Sequence, residues 1–319
     1  MRKQLNFLLI LIITAFILSN TSCSSSKEMG DLTEVEMQQT PVLEKALLWK
    51  ISGNDLSSPS YLYGTIHIIN DEDYFLPEGT LSAMEKAENI IFEIDMNKMT
   101  DLTSQMGLLK ELFMKDNLSL KDLLSEEDYT LVQNHFQEMG LPIFMLERMK
   151  PMFLSIFGSG DFDIGGLQNG KMKSYEMEFF DMAQRTNKPV SGLETMEFQM
   201  SMFDSIPYTD QAKMLVETIK SSDTGSDQFK AMTDVYKSQD INAMVTMISD
   251  DESGMGDFDE LLVDMRNKNW IPIMEEKMKA GPVFFAVGAG HLAGKNGVIP
   301  LLMRAGYTLT PVKSSAQVN

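Results

Sequence analysis

Residues 283–312 read VFFAVGAGHLAGKNGVIPLLMRAGYTLTPV. Val283 to Val287 is a compact apolar strand, Gly288 to Gly290 a turn, Gly297 to Ala305 a helix, and Tyr307 to Val312 returns to extended backbone. This β-turn-α-β pattern has a counterpart upstream. Leu81, Met84 and Ala87 mark one face of a helix within Pro77 to Ala87, and Asn89 to Asp95 then changes to a strand with an acidic end. Leu47, Trp49 and Ile51 alternate as a strand, Gly53, Asn54, Asp55 and Pro59 turn the chain, and Tyr61 to Ile69 completes a hairpin. The middle is mainly helical. Leu102 to Met114, Ser125 to Met139 and Ser174 to Thr186 place apolar residues three or four apart, interrupted by Pro142, Pro151 and the glycine-rich stretch 158–170. A short strand is expected at Lys188 to Gly192, a helix from near Glu194, an exposed loop at Ser221 to Asp227, and further helices at Gln228 to Ser238, Ile241 to Ile248 and Phe258 to Lys279. The expected fold is one α/β domain over 43–313, a central largely parallel sheet with a substantial helical insertion or cap, and a short tail at 314–319.

A chain of 319 residues with 43% hydrophobic residues has enough material for a large core, which excludes a disulfide-stapled miniprotein and general disorder. Its 46 acidic against 27 basic side chains leave a formal charge of -19, and no basic patch offsets a field that repels phosphate backbones. Nucleic acid is therefore not an expected partner. The 27 methionines are dispersed through amphipathic stretches, where they fill irregular gaps in a core.

Arg2 and Lys3 precede an apolar run from Phe7 to Leu18, the pattern of a signal peptide over 1–22. As a helix this run rises about 18 Å, short of the roughly 30 Å of a bilayer core. Asn20, Thr21 and Ser22 lead into Cys23, the only cysteine, as in a bacterial lipobox, and residues 23–42 form a polar tether. The expectation is an exported bacterial lipoprotein of the cell envelope, with the membrane as a partner through lipidated Cys23. Cys23→Ser should abolish incorporation of a labelled lipid, and equal labelling of the variant would reject the assignment.

Only three histidines are present. His67 ends Gly64-Thr65-Ile66-His67 and His291 ends Gly288-Ala289-Gly290-His291, near opposite ends of the fold, while His135 lies in the helical middle. Glycine permits tight backbone geometry beside a strand end, and a projecting imidazole can ligate a metal or serve as a structural donor. In Phe92-Glu93-Ile94-Asp95, period-two alternation puts Glu93 and Asp95 on one side of a strand, as a ligand, a general base or a solvated ion pair. The chain has no His-Glu-x-x-His helix, nucleophile elbow around Ser191, P-loop, dinucleotide fingerprint or EF-hand series.

The segments Trp49 to His67, Asn89 to Asp95, Lys188 to Gln199 and Arg266 to Val312 resemble the TraB/PrgY/GumN family, over roughly Leu43 to Val312. The most specific part is Phe284 to Gly294, followed by Gly297 and Gly306-Tyr307, with Leu62-Tyr-Gly-Thr-Ile-His67 as the matching front signature. That family is distantly similar to the Tiki membrane-associated metalloproteases, which use paired Gly-x-x-His motifs and an acidic residue in an erythromycin-esterase-like fold. The resemblance implies His67, His291 and Glu93 as ligands of a divalent metal, Mn²⁺ or Co²⁺ before zinc, with Asp95 as an alternative ligand. It implies metal-dependent hydrolysis of a peptide, with Glu93, Glu194 or Asp95 handling water and protons. Arg266 and Asn267 become candidates to bind and position substrate, and Tyr175 to orient it. The alternatives are peptide or pheromone sequestration without cleavage, or an envelope interaction protein.

Overall fold

In chain order the strands are β1 (Leu48–Gly53), β2 (Ser60–Thr65), β3 (Ile68–Asn70), β4 (Asn89–Ile94), β5 (Met172–Ser174), β6 (Val190–Glu194), β7 (Val283–Gly288) and β8 (Tyr307–Pro311). The computed structural model describes residues 42–100, 102–158, 170–221, 225–249 and 258–313. The signal peptide, Cys23, the tether up to residue 41, most of the glycine-rich 158–170 stretch, residues 222–224 of the expected loop and the tail at 314–319 lie outside them.

Six strands make one sheet in the order β6-β4-β7-β2-β1-β8, and β3 pairs with β5 in a small second sheet. Pairings β6·β4, β4·β7 and β7·β2 are parallel, whereas β2·β1 and β1·β8 are antiparallel. The sheet is therefore mixed, parallel at three of its five pairings, with an antiparallel flank added on one side. Its cause is local. Gly53, Asn54 and Asp55 all have positive φ, folding β1 tightly back on β2, and β8 then closes on the free edge of β1.

The hydrophobic strands β2 and β7 are buried throughout, as central strands covered on both faces must be. Tyr63, Tyr175, Phe179, Phe284 and Tyr236 pack beside them as an aromatic cluster. The helices of the middle carry a second, smaller core of Leu120, Val132, Phe136, Leu154, Leu215, Val216 and Ile219. Three of those residues come from Tyr208–Lys220, a helix not predicted from the sequence, although Ala212, Leu215, Val216 and Ile219 keep helical spacing. Fully buried Lys150 is neutralised at 2.8 Å by Asp204, which also takes Lys115 at 2.8 Å, so one carboxylate ties three segments of this helical cap.

Strand β6 runs two residues further than predicted. Its register pairs Ile94 with Glu194, which places Glu194 at the sheet's edge beside β4.

Candidate functional site

Strands β6, β4, β7 and β2 run parallel and end at Glu194, Ile94, Gly288 and Thr65, so their carboxyl ends form one rim. Such a rim is where open α/β sheets place their ligands. The two Gly-x-x-His segments, remote in sequence, meet here because β2 and β7 are neighbours in register, Gly64 against Val287 and Thr65 against Gly288. Gly288 sits at the crossing. A Cβ there would lie 3.3 Å from Glu93 Oε1, 3.4 Å from His67 Nε2 and 3.5 Å from His291 Cδ2.

Arg266 is the centre of the network. Its Nη2 donates to Glu93 Oε2 at 2.5 Å and lies 2.6 Å from Glu194 Oε1, while Nε donates to Glu194 Oε1 at 2.8 Å. Its Nη1 donates to Leu262 O at 3.1 Å and to His291 Nε2 at 3.2 Å. The Leu262 carbonyl is turned to this side chain within a π-helical stretch, Glu260–Asp264, that precedes the helix Met265–Ala280. Trp270, one turn after Arg266, lies under the guanidinium at 5.0 Å and gives its indole N–H to Glu194 Oε2 at 2.9 Å. Gln199 Nε2 donates to Glu93 Oε2 at 3.2 Å and Glu194 Oε1 at 2.6 Å, and Gly288 N–H donates to Glu93 Oε1 at 2.8 Å. Burial alone would raise the Glu93 pKa. The charges of Arg266 and His67, with the Gly288 N–H, outweigh it and hold Glu93 well below the usual carboxylate range.

The histidines have different states. Because a guanidinium only donates, His291 Nε2 is an acceptor, which leaves Nδ1–H to donate to Asn267 Oδ1 at 2.7 Å. Burial, joined by the Arg266 and His67 charges and opposed by Glu93, takes its pKa down to about 3, so the ring is neutral. A histidine lowered from 6.5 contributes stability that is full above pH 6.5 and lost as pH falls toward 3. Acid titration of the folded protein should therefore cost about 1.4 kcal/mol per pH unit below 6.5 from this ring. His291→Gln should flatten that slope by one proton in urea melts at pH 6.5 and 5.0, and an unchanged slope would refute the assignment.

His67 is pinned from its other nitrogen. Its Nδ1 is 2.9 Å from Glu176 Oε1, which also accepts from Thr65 Oγ1 at 2.6 Å, while Glu176 Oε2 accepts from Ser174 Oγ at 3.1 Å. Burial pulls the His67 pKa down, but the charge and hydrogen bond of Glu176, with Glu93, outweigh it and the pKa is raised. Glu176 owes its place to β5. Pairing with β3 brings Ser174 beside Ile68, and Ser174 caps the helix Tyr175–Arg185, whose positive end favours a carboxylate in its first turn.

Of the residues expected from the sequence, His67, His291, Glu93, Glu194, Arg266 and Asn267 gather at this rim. Asn267 donates to Asn296 O at 2.9 Å while orienting His291. Asp95 stands apart, accepting from the Asn97 backbone and side chain, both at 3.0 Å. Tyr175 stays in the aromatic cluster, where its hydroxyl donates to Phe75 O at 2.7 Å. Glu194 leaves helix capping to Thr195, which accepts from Phe198 N at 3.1 Å. Glu176, Gln199 and Trp270 were not predicted. The acidic first turn after Ser174 was the legible signal for Glu176.

The metal expectation does not survive. Among the described residues no group of three or more His, Cys, Asp or Glu side chains is arranged to hold an ion. The donors proposed for Mn²⁺ or Co²⁺ are otherwise engaged, since Glu93 faces a guanidinium and the one lone pair of His291 that neutral imidazole offers accepts from Arg266. The reading as a metal-dependent hydrolase, with its Mn²⁺ or Co²⁺ cofactor, is corrected accordingly. Among the described residues no helix is long and apolar enough to cross a membrane.

A mixed α/β sheet under a helical cap, with two Gly-x-x-His strand ends converging on a buried arginine–carboxylate network, defines the class of this protein. Residues 47–311 match the TraB/PrgY/gumN family, and the chain belongs to it. Among curated proteins it is 22% identical to Metalloprotease TIKI1 of Danio rerio, over 82% of this chain and 62% of that protein. It is 23% identical to Metalloprotease TIKI1 of Homo sapiens, over 86% and 63%, and 20% identical to Metalloprotease TIKI2 of Danio rerio, over 84% and 61%. The chain thus spans just over three fifths of these relatives. No solved structure matches it.

Proposed function

We propose that the chain is a peptide-binding protein that sequesters its ligand intact, with His67 as the anchoring group of the rim. One observation carries this reading. Glu93, Glu194, Arg266 and His291 spend their polar atoms on one another and on Asn267, Gln199, Trp270 and Gly288, whereas His67 is anchored through Nδ1 alone. Its side chain is 26% exposed, and among the described residues its Nε2 makes no hydrogen bond. With Nδ1–H directed at Glu176, a protonated ring offers Nε2–H to a carbonyl or terminal carboxylate. The proteases among the relatives supply the peptide as ligand class, and the saturated network beside His67 supplies rigidity rather than an activated water.

The test is a pool of synthetic peptides incubated with the purified chain, read by fluorescence anisotropy and mass spectrometry. Bound peptides should saturate at one per chain and be recovered uncut. His67→Ala should weaken their binding about tenfold, near 1.4 kcal/mol, with an unchanged circular dichroism spectrum. Multiple-turnover cleavage, or undiminished binding by His67→Ala, would overturn the proposal.

A further inference from the structure

We propose that the guanidinium of Arg266 is the resident cation of this site, filling the place that a divalent ion would need, and that its removal uncovers a metal site the native chain does not have. This role of Arg266 does not depend on a bound peptide. Three donors converge on one planar group: Glu93 Oε2 at 2.5 Å and Glu194 Oε1 at 2.6 Å from Nη2, and His291 Nε2 at 3.2 Å from Nη1. Two carboxylate oxygens and a neutral imidazole nitrogen are the donor types that hold a first-row divalent ion at about 2.0–2.2 Å. Their arrangement is held from outside the guanidinium as well. The Gly288 N–H positions Glu93, the Trp270 indole positions Glu194, and Asn267 fixes the His291 tautomer that leaves Nε2 with its lone pair outward.

A fixed cation differs from a bound ion in what it can do. It neutralises two buried carboxylates without an open coordination position, because a guanidinium has five donors and no vacancy for water. It also stays when chelators are added. Arginine is the suited residue, since lysine carries its three N–H groups on one compact nitrogen and cannot span both carboxylates and the imidazole as the guanidinium fork does.

Co²⁺ and Mn²⁺ are the probes, titrated by calorimetry into the purified full chain and into Arg266→Met, with Co²⁺ also followed by its visible absorption. The native chain should show no stoichiometric binding at the rim and no change in melting temperature with either ion. Arg266→Met should take one Co²⁺ per chain, at least tenfold tighter than the native chain, with a visible band and a raised melting temperature. Adding His291→Ala to Arg266→Met should abolish the band. Arg266→Lys keeps a cation and should remain at the native level. If Arg266→Met folds too poorly to titrate, Arg266→Gln carries the same comparison. Stoichiometric binding by the native chain that is lost in His291→Ala, or a folded neutral variant with no gain in affinity, would overturn the proposal.

Discussion

In metal-free buffer at neutral pH, Arg266→Met should lose about 3–5 kcal/mol of stability in urea denaturation, much of what holds a domain of this kind together. The lost contacts with Leu262 O and His291 are the smaller part. The larger part is electrostatic, because Glu93 and Glu194, with side chains 12% and 6% exposed, would face one another with no cation between them. Gln199 and Trp270 donate to these carboxylates but carry no charge to balance them. Breaking a buried pair by removing one partner leaves the penalty of the other, whereas removing the whole set need not. The triple variant Arg266→Met, Glu93→Gln, Glu194→Gln should therefore recover more than half of the loss. A single variant within about 1 kcal/mol of the native chain, or a triple variant no better than the single, would show that the network's charges do not carry its stability.

The sequence made the strands at the rim legible because each is a short apolar run bounded by turn residues, and the two Gly-x-x-His segments marked where two of them end. It did not show that those strands are parallel neighbours. That depends on the chain returning through Met265–Ala280 to lay β7 between β2 and β4, pairings that span 223 and 194 residues. Asp95 was grouped with Glu93 by strand alternation, but β4 ends at Ile94, and the turn beyond it lets Asn97 capture the Asp95 carboxylate. Glu176 escaped for a different reason. The three-residue strand that delivers it to His67 is too short to show a period, and only its pairing with β3 gives it a direction. The central role of Arg266 was equally hidden. A helix face shows which residues lie together, not that one guanidinium will reach two strand ends and a histidine from a π-helical start. The metal reading followed from the family resemblance, supported by donor types that are present, and failed because the cation among them is covalently part of the chain.

Gly192→Ala should be among the most damaging changes that alter no charge, costing at least about 3 kcal/mol and dispersing the rim. Gly192 pairs with Phe92 in the parallel β4·β6 ladder, two residues before Glu194. A Cβ at this position would lie 2.4 Å from Asp95 N, 2.5 Å from Ile94 C and 2.8 Å from Ile94 Cα. All three are backbone atoms, so no rotamer change relieves the clash, and β6 must move away from β4. Glu194 would then leave Arg266, Gln199 and the Trp270 indole together. At Gly64 the nearest obstacle is the end of the Leu292 side chain at 2.8 Å, with the Ala289 backbone at 3.1 Å, so Gly64→Ala should cost less. Gly107, within the helix Leu102–Glu111, has nothing within 4 Å of an added Cβ, and Gly107→Ala should leave stability unchanged or raise it by about 0.5–1 kcal/mol. Urea melts of the three variants, followed by circular dichroism and tryptophan fluorescence, test this order. In a Trp49→Phe background, early loss of fluorescence in Gly192→Ala would report Trp270 separating from Glu194, and a Gly192→Ala protein as stable as Gly107→Ala would refute the close approach of β4 and β6 on which the site is built.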